Sequence, residues 1–191
     1  LVHRLDRDTS GVLLVARSLK MAQALGRMFS GRGIRKYYWA VVTPAPETYE
    51  GRIDMPLNKG LGNAKDKMIV DEDEGKTSIT DFALIEHAGK TAAFMAFWPR
   101  TGRTHQIRVH AAEGLKCPIL GDEKYGRDDE LLHNVEIAGR LHLHARRVIF
   151  KHPATGKTID ITAPLPPDLK KTWKALGFDH NDKGDPFADQ D

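Results

Sequence analysis

The chain has 191 residues, of which 40% are hydrophobic and 29% charged, with one cysteine and a net charge of +3. That is the composition of a single globular domain long enough to bury a core. It excludes a membrane-spanning class, because no apolar run approaches the roughly 20 residues needed to cross a bilayer, and a lone Cys117 excludes an intrachain disulfide and fits a reducing, cytoplasmic setting.

The chain opens on His3-Arg4-Leu5-Asp6-Arg7-Asp8-Thr9-Ser10-Gly11, a loop dense in charge, and runs directly into the apolar stretch Val12–Ala16. Gly11–Ala16 reads as a buried strand. The segment starts without an initiator Met, and Leu1-Val2 resembles a strand end, so the chain reads as a piece of a longer protein. Ser18 is placed to cap a helix running to Ser30, with Ala22, Leu25, Met28 and Phe29 on one face and Gly31-Arg32-Gly33 ending it. Tyr37–Val42 is β-branched and aromatic, hence a strand. Residues 51–76 read as irregular loop with short strands. Thr77–Glu86 and Thr91–Trp98 read as a hairpin around Gly89.

Thr104–Glu113 predicts a helix closed by Gly114, and residues 118–139 predict mixed loop with some helix. Leu141–Lys151 and Thr158–Thr162 form a second hairpin pattern, followed by a helix from Asp168 to Leu176. Beyond Phe178 the sequence is rich in Asp, Gly and Pro, which predicts a domain over 1–178 and a frayed, flexible tail over 179–191. Hairpins outnumber βαβ patterns, so the fold class is α+β with a mostly antiparallel sheet.

Charge is segregated along the chain. Up to Lys36 the basic residues Arg4, Arg7, Arg17, Lys20, Arg27, Arg32, Arg35 and Lys36 are opposed only by Asp6 and Asp8, and Arg100–His110 carries three arginines and two histidines but no acid. This distribution points to a polyanionic partner such as nucleic acid. Three segments carry candidate chemistry. In the opening loop, Asp6 and Asp8 are both possible nucleophiles or bases, and composition does not choose between them. The second segment is Arg100–His110. A helix capped by Thr104 would offer its N-terminus to an anion, with His105 and Arg108 on one face. The third is Lys36-Tyr37-Tyr38-Trp39-Ala40, where strand geometry points Tyr38 away from Tyr37 and Trp39, free to stack on a base or move a proton.

Together these segments resemble the RluA family of RNA pseudouridine synthases. His3–Gly11 matches the family's H-R-L-D-x-x-T-S-G motif, Lys36–Ala40 its K-x-Y-x-A motif, and Thr101–His110 its T-G-R-T-H-Q-I-R-V-H motif. Pro118-Ile119-Leu120-Gly121-Asp122 with Tyr125-Gly126 resembles the usual continuation. The likeness spans about residues 1–166. The earlier strand and motif of family members, and the S4 module many carry, do not occur in this sequence.

The resemblance implies a pseudouridine synthase fold that isomerises uridine in RNA with no cofactor and no metal. Asp6 is then the catalytic aspartate, Tyr38 the tyrosine packed on the base, and Arg108 the basic residue paired with the aspartate. Arg4 would fill the gap left by the extruded nucleotide, and phosphates would run over Arg7, Lys20, Arg32, Arg35 and Arg103, with His105 nearby. The segment Ala163–Phe178 is most like the ribosomal large-subunit group, with transfer RNA as the alternative substrate, and the family acts as monomers. Three rival readings follow from the residues. One is an RNA-binding module without catalysis. Another is a two-carboxylate hydrolase built on Asp6 and Asp8. The last is a metal site at His105 with His110 or at His142 with His144, whose spacings fit a zinc pair poorly.

Overall fold

The computed structural model describes residues 1–31, 33–127 and 132–190. Its frame is a seven-stranded sheet: β1 (Ser10–Gly11), β2 (Ile34–Val42), β3 (Glu50–Asp54), β6 (Ile79–Ala88), β7 (Ala92–Pro99), β8 (Leu143–Lys151) and β9 (Thr158–Thr162). A small second sheet pairs β4 (Leu57–Lys59) with β5 (Met68–Val70). The main order is β1-β8-β2-β7-β6-β3, with β9 also beside β8. Every pairing is antiparallel except β1 with β8. The expected α+β class with a mixed, mostly antiparallel sheet is the observed one.

The expected strand over Gly11–Ala16 shortens to two residues, because β9 already occupies that edge of β8 from Arg147 to Lys151. Gly11 is required at the junction: at its φ of 116°, an added Cβ would lie 2.2 Å from the Ala145 carbonyl oxygen. Ser18 caps α1 (Leu19–Ser30) by accepting from the Met21 amide, as the sequence suggests. The buried face of α1 meets Val148 and Phe150 through Leu25, Met28 and Phe29.

Alternation along β2 divides the core. Tyr37, Trp39 and Val41 face one side, where Phe94 and Trp98 pack with Trp173 of α3 (Pro167–Ala175) and with Phe178. Ala40 and Val42 face the other, over Met95, Phe97 and Leu143. A bulge at Arg146 shifts the β2–β8 register between Tyr37↔Arg147 and Tyr38↔Ala145. It lets Leu143 and Ala145 share a side with Val148 and Phe150, which strict alternation would separate.

Two expectations change here. The segment after Phe178 does not fray over its described part. Phe187 is fully buried against Tyr37 and Trp98, with ring centroids 5.3 and 5.7 Å away, and Asp185 pairs with Arg147 at 2.8 Å. The aromatic patch at Tyr37 and Trp98 takes Phe187 as its cover, a contact that local composition does not reveal. The helix expected over Thr104–Glu113 is a short α2 (Gln106–Val109) followed by a π-helical turn, His110–Gly114. The widened turn seats the buried His110 ring, whose Nε2 donates to the Met55 carbonyl at 3.0 Å while Nδ1 accepts from the Thr80 hydroxyl at 2.8 Å.

Candidate active site

A cavity of about 290 Å3 opens beside the end of β2. Its walls come from the opening loop, from Phe29 of α1, from Lys36 and Tyr38 of β2, and from the segment Pro99–Arg108. Asp6, Tyr38 and Arg108, far apart in sequence, all line it.

The opening loop is bent by a turn in which the Thr9 amide donates to the Asp6 carbonyl at 3.0 Å. Asp8 holds a left-handed conformation at φ 68°, and Arg140 donates to its carbonyl at 2.6 Å. His3 ties the loop to the following segment: its Nε2 accepts from the Leu14 amide at 2.8 Å, and its ring stacks on Phe29 with centroids 4.3 Å apart. Burial and then the nearby Lys36 charge push the His3 imidazole below its usual range, consistent with a neutral acceptor. Ser10 donates to Nδ1 of the buried His144 at 2.8 Å, and His144 Nε2 donates onward to the Ala163 carbonyl. Among the described residues, the buried Thr9 hydroxyl has no hydrogen-bond partner.

Alternation along β2 brings Lys36 and Tyr38 to the cavity and sends Tyr37 and Trp39 into the opposite core. Burial, reinforced by the Asp6 charge, pushes the Tyr38 phenol up to about 12. Burial lowers the Lys36 ammonium.

The facing wall is a network of satisfied polar groups. Gln106 Oε1 accepts from the Thr101 hydroxyl at 2.7 Å and from the Arg103 amide at 3.0 Å, while its Nε2 donates to the Ile79 carbonyl and the Thr80 hydroxyl. Arg108 makes a bidentate pair with Asp122, both bonds 2.7 Å, and both side chains are buried. Asp122 also accepts from the amides of Lys124 and Tyr125. Burial alone would raise the Asp122 carboxyl, but the Arg108 guanidinium outweighs it and holds the group below the usual carboxylate range. The Tyr125 ring lies under Arg108 at 5.1 Å, and its hydroxyl accepts from the Met68 amide and sits 2.8 Å from His105 Nδ1.

Residues 1–113 match the family model for RNA pseudouridylate synthase. The chain belongs to this family. It is 43% identical to an uncharacterized RNA pseudouridine synthase of Zymomonas mobilis, over 93% of this chain and 76% of that protein. It is 39% identical to the ribosomal large subunit pseudouridine synthase C of Pasteurella multocida, over 92% of this chain but only 54% of that protein. Among solved structures, human RNA pseudouridylate synthase domain containing 4 superimposes with a TM-score of 0.75 at 28% identity, covering 92% of this chain and 75% of the human one. The chain thus spans about three quarters of the first relative and little more than half of the second.

Within this pseudouridylate synthase frame, the sequence-derived residues separate. Arg4 and Arg103 line the cavity with Asp6, Tyr38 and Arg108, and Arg103 Nε donates to the Thr77 carbonyl at 3.1 Å. Arg7 is exposed beside Asp8, and Lys20 is exposed on α1. Arg35 lies by Trp98, its guanidinium 5.4 Å from the ring centroid, on the side of β2 opposite Lys36. Arg32 lies outside the described residues. His105 stands off the cavity lining and engages Tyr125.

Two expectations are corrected. The hydrogen bonds of Arg108 go to Asp122, and Asp6 acts on Arg108 through charge alone. The anion site expected at a helix start capped by Thr104 does not form, because His105 is the capping position, α2 has four residues, and Gln106 takes the Arg103 amide.

The sequence reading missed Asp122, Gln106, Tyr125 and Lys36 as site residues. A signal existed for Asp122, an acid following the apolar run Cys117–Gly121, since a buried carboxylate needs a partner. Another existed for Lys36, two residues before Tyr38 and so on the same strand face. Among the described residues, no group of three or more His, Cys, Asp or Glu is arranged to hold a metal ion, and no helix is long and apolar enough to cross a membrane.

Proposed function

We propose that this chain converts uridine to pseudouridine in RNA, with large-subunit ribosomal RNA as its substrate, acting in the cytoplasm as a monomer and without cofactor or metal. The observation that carries the reading is the single cavity lined by Asp6, Tyr38 and Arg108. The reaction breaks the bond from uracil N1 to ribose C1′, turns the base and joins C5 to C1′, while C5 gives up a proton and N1 takes one up. Atoms balance without an external reactant.

Asp6 is the reacting carboxylate, whether it attacks C1′ or takes a ribose proton, and both routes use its anion. The Arg108 guanidinium supplies positive charge from the facing wall, held in place by Asp122. Tyr38, with its phenol pushed up to about 12, stays protonated at neutral pH and serves as a platform for the base. A target base leaving its stack costs a few kcal/mol, which stacking on Tyr38 and insertion of the exposed Arg4 would offset.

Tritium release from RNA labelled at uridine C5 tests the reaction: the wild type should release label, and Asp6→Asn should not. An RNA-binding module without catalysis would bind RNA and release none. Mapping pseudouridine in large-subunit ribosomal RNA and in transfer RNA from a strain lacking the gene tests the substrate. Loss confined to transfer RNA would overturn the ribosomal assignment.

A further inference from the structure

We propose that Lys36 is a positioning residue that holds the phosphodiester of the extruded uridine at the passage between the Asp6 cavity and a groove beside it. The inference rests on the reading of the cavity as the uridine site. Lys36 lines both spaces: the cavity of about 290 Å3 and an adjoining groove of about 770 Å3 that runs past Phe29, Gly31 and Trp98. A strand leading into the cavity along that groove passes the Lys36 ammonium on its way in.

The strand geometry suits one nucleotide. Lys36 and Tyr38 share a face of β2, two residues and so about 6.6–6.8 Å apart along the strand. A base on Tyr38 would leave its own phosphate near Lys36. The ammonium lies near the Phe29 ring, 5.9 Å from the centroid, and beside the Gly102 backbone, where an added Cβ would be 3.9 Å away.

Charge points the same way. Arg4, Lys36, Arg103 and Arg108 line the cavity with a single carboxylate, Asp6. Arg108 is paired with Asp122, and Arg4, Lys36 and Arg103 add three further cations to the lining. Among the described residues Lys36 forms no ion pair, although it is half-buried and its ammonium is lowered by desolvation. A compact ammonium taken partly out of water without a counter-charge is unfavourable, and an arriving phosphodiester relieves that cost. The exposed Lys20 has no such deficit.

The test uses the full chain and a short single-stranded RNA containing one uridine, with binding measured across a salt series. Lys36→Met keeps the aliphatic stem and removes the charge. Its plot of log affinity against log salt should be shallower than wild type by about 0.7–1, and Lys36→Arg should restore the slope. Replacing the linkage at that uridine by a neutral methylphosphonate should lower the wild-type slope equally and leave Lys36→Met unchanged. The wild-type half of this comparison does not depend on the variant's folding. On large-subunit ribosomal RNA, Lys36→Met should raise KM about tenfold with kcat nearly unchanged, as for loss of a contact made equally in ground and transition states. A wild-type slope in Lys36→Met with a lower melting temperature would overturn the proposal and make Lys36 a packing residue. Binding slopes do not require turnover. A wild type that makes no pseudouridine therefore defeats the functional reading, while an unaltered slope defeats the role of Lys36.

Discussion

The two walls of the cavity are built in opposite ways. On the wall from Thr101 to Tyr125, polar groups are locked: Gln106 makes four hydrogen bonds, Arg108 and Asp122 pair twice, and Tyr125 ties to Met68 and His105. The wall carrying Asp6 is a loop held by its backbone and by His3, with Asp6 and Thr9 presented to the cavity. A carboxylate already bonded to an arginine is poorly placed to react. The Arg108 bonds go to Asp122, and Asp6 interacts with Arg108 through charge alone. Side-chain bonds fix one side and leave the carboxylate on the other unbonded among the described residues, which under the proposed reading pre-orients the site without occupying its reacting group.

The sharpest way to break this contrast is at its two carboxylates. Asp6→Asn should lower pseudouridine formation by at least about 10^3-fold, in the range of a lost acid–base or nucleophilic group. Melting temperature and RNA affinity should stay near wild type. Asp122→Ala should do the reverse. It leaves Arg108 buried and unpaired, which costs about 3–5 kcal/mol of stability, read by urea unfolding. A variant of Asp122 that melted normally but lost turnover would mean that the pair is part of the reaction and not of the scaffold.

Protonation should act on two buried histidines outside the cavity lining. His142 and His144 are buried, and desolvation lowers both to about 4. Each ring is fixed in one neutral form: His142 Nδ1 donates to the Leu120 carbonyl and Nε2 accepts from the Thr172 hydroxyl, while His144 accepts from Ser10. Their folded values lie below the ordinary value of 6.5, so the unfolded chain takes up protons first as pH falls. The stability they contribute is complete above 6.5 and is lost progressively between 6.5 and about 4, by about 3 kcal/mol each at the lower end. Unfolding free energies measured from pH 7 to 4 should fall across that window. A flat profile would mean that these rings are charged in the native state.

Much of this molecule was legible as pattern. The Ser18 cap, the β6–β7 hairpin and the β8–β9 pairing follow from local signals of capping, alternation and turns. What escaped depends on contacts across the chain. Nothing near Phe187 announces that it covers Tyr37 and Trp98, and nothing in Gly11–Ala16 says that β9 has taken the edge. At the site, the motifs carried Asp6, Tyr38 and Arg108, but not the second carboxylate, Asp122, that takes the arginine's hydrogen bonds. Asp122 is 14 residues from Arg108, and only folding shows which of two acids meets the guanidinium.

The smallest expected effect is the most informative about mechanism, because it separates Tyr38 as a platform from Tyr38 as a base. A phenol pushed up to about 12 by burial and by the Asp6 charge is almost entirely protonated at neutral pH and can accept a proton only after losing its own. Tyr38→Phe keeps the ring on the cavity face of β2 and should lower kcat by less than about tenfold, with KM unchanged. Tyr38→Ala removes the stacking surface, worth about 1–3 kcal/mol per base, and should weaken RNA binding accordingly. Were the hydroxyl the group that removes the C5 proton, Tyr38→Phe would lose about 10^2–10^4-fold in kcat, the usual worth of a general base. Its residual rate would then show a deuterium isotope effect at C5. The proton would in that case leave by the Asp6 side of the cavity, whose carboxylate has no ion pair among the described residues.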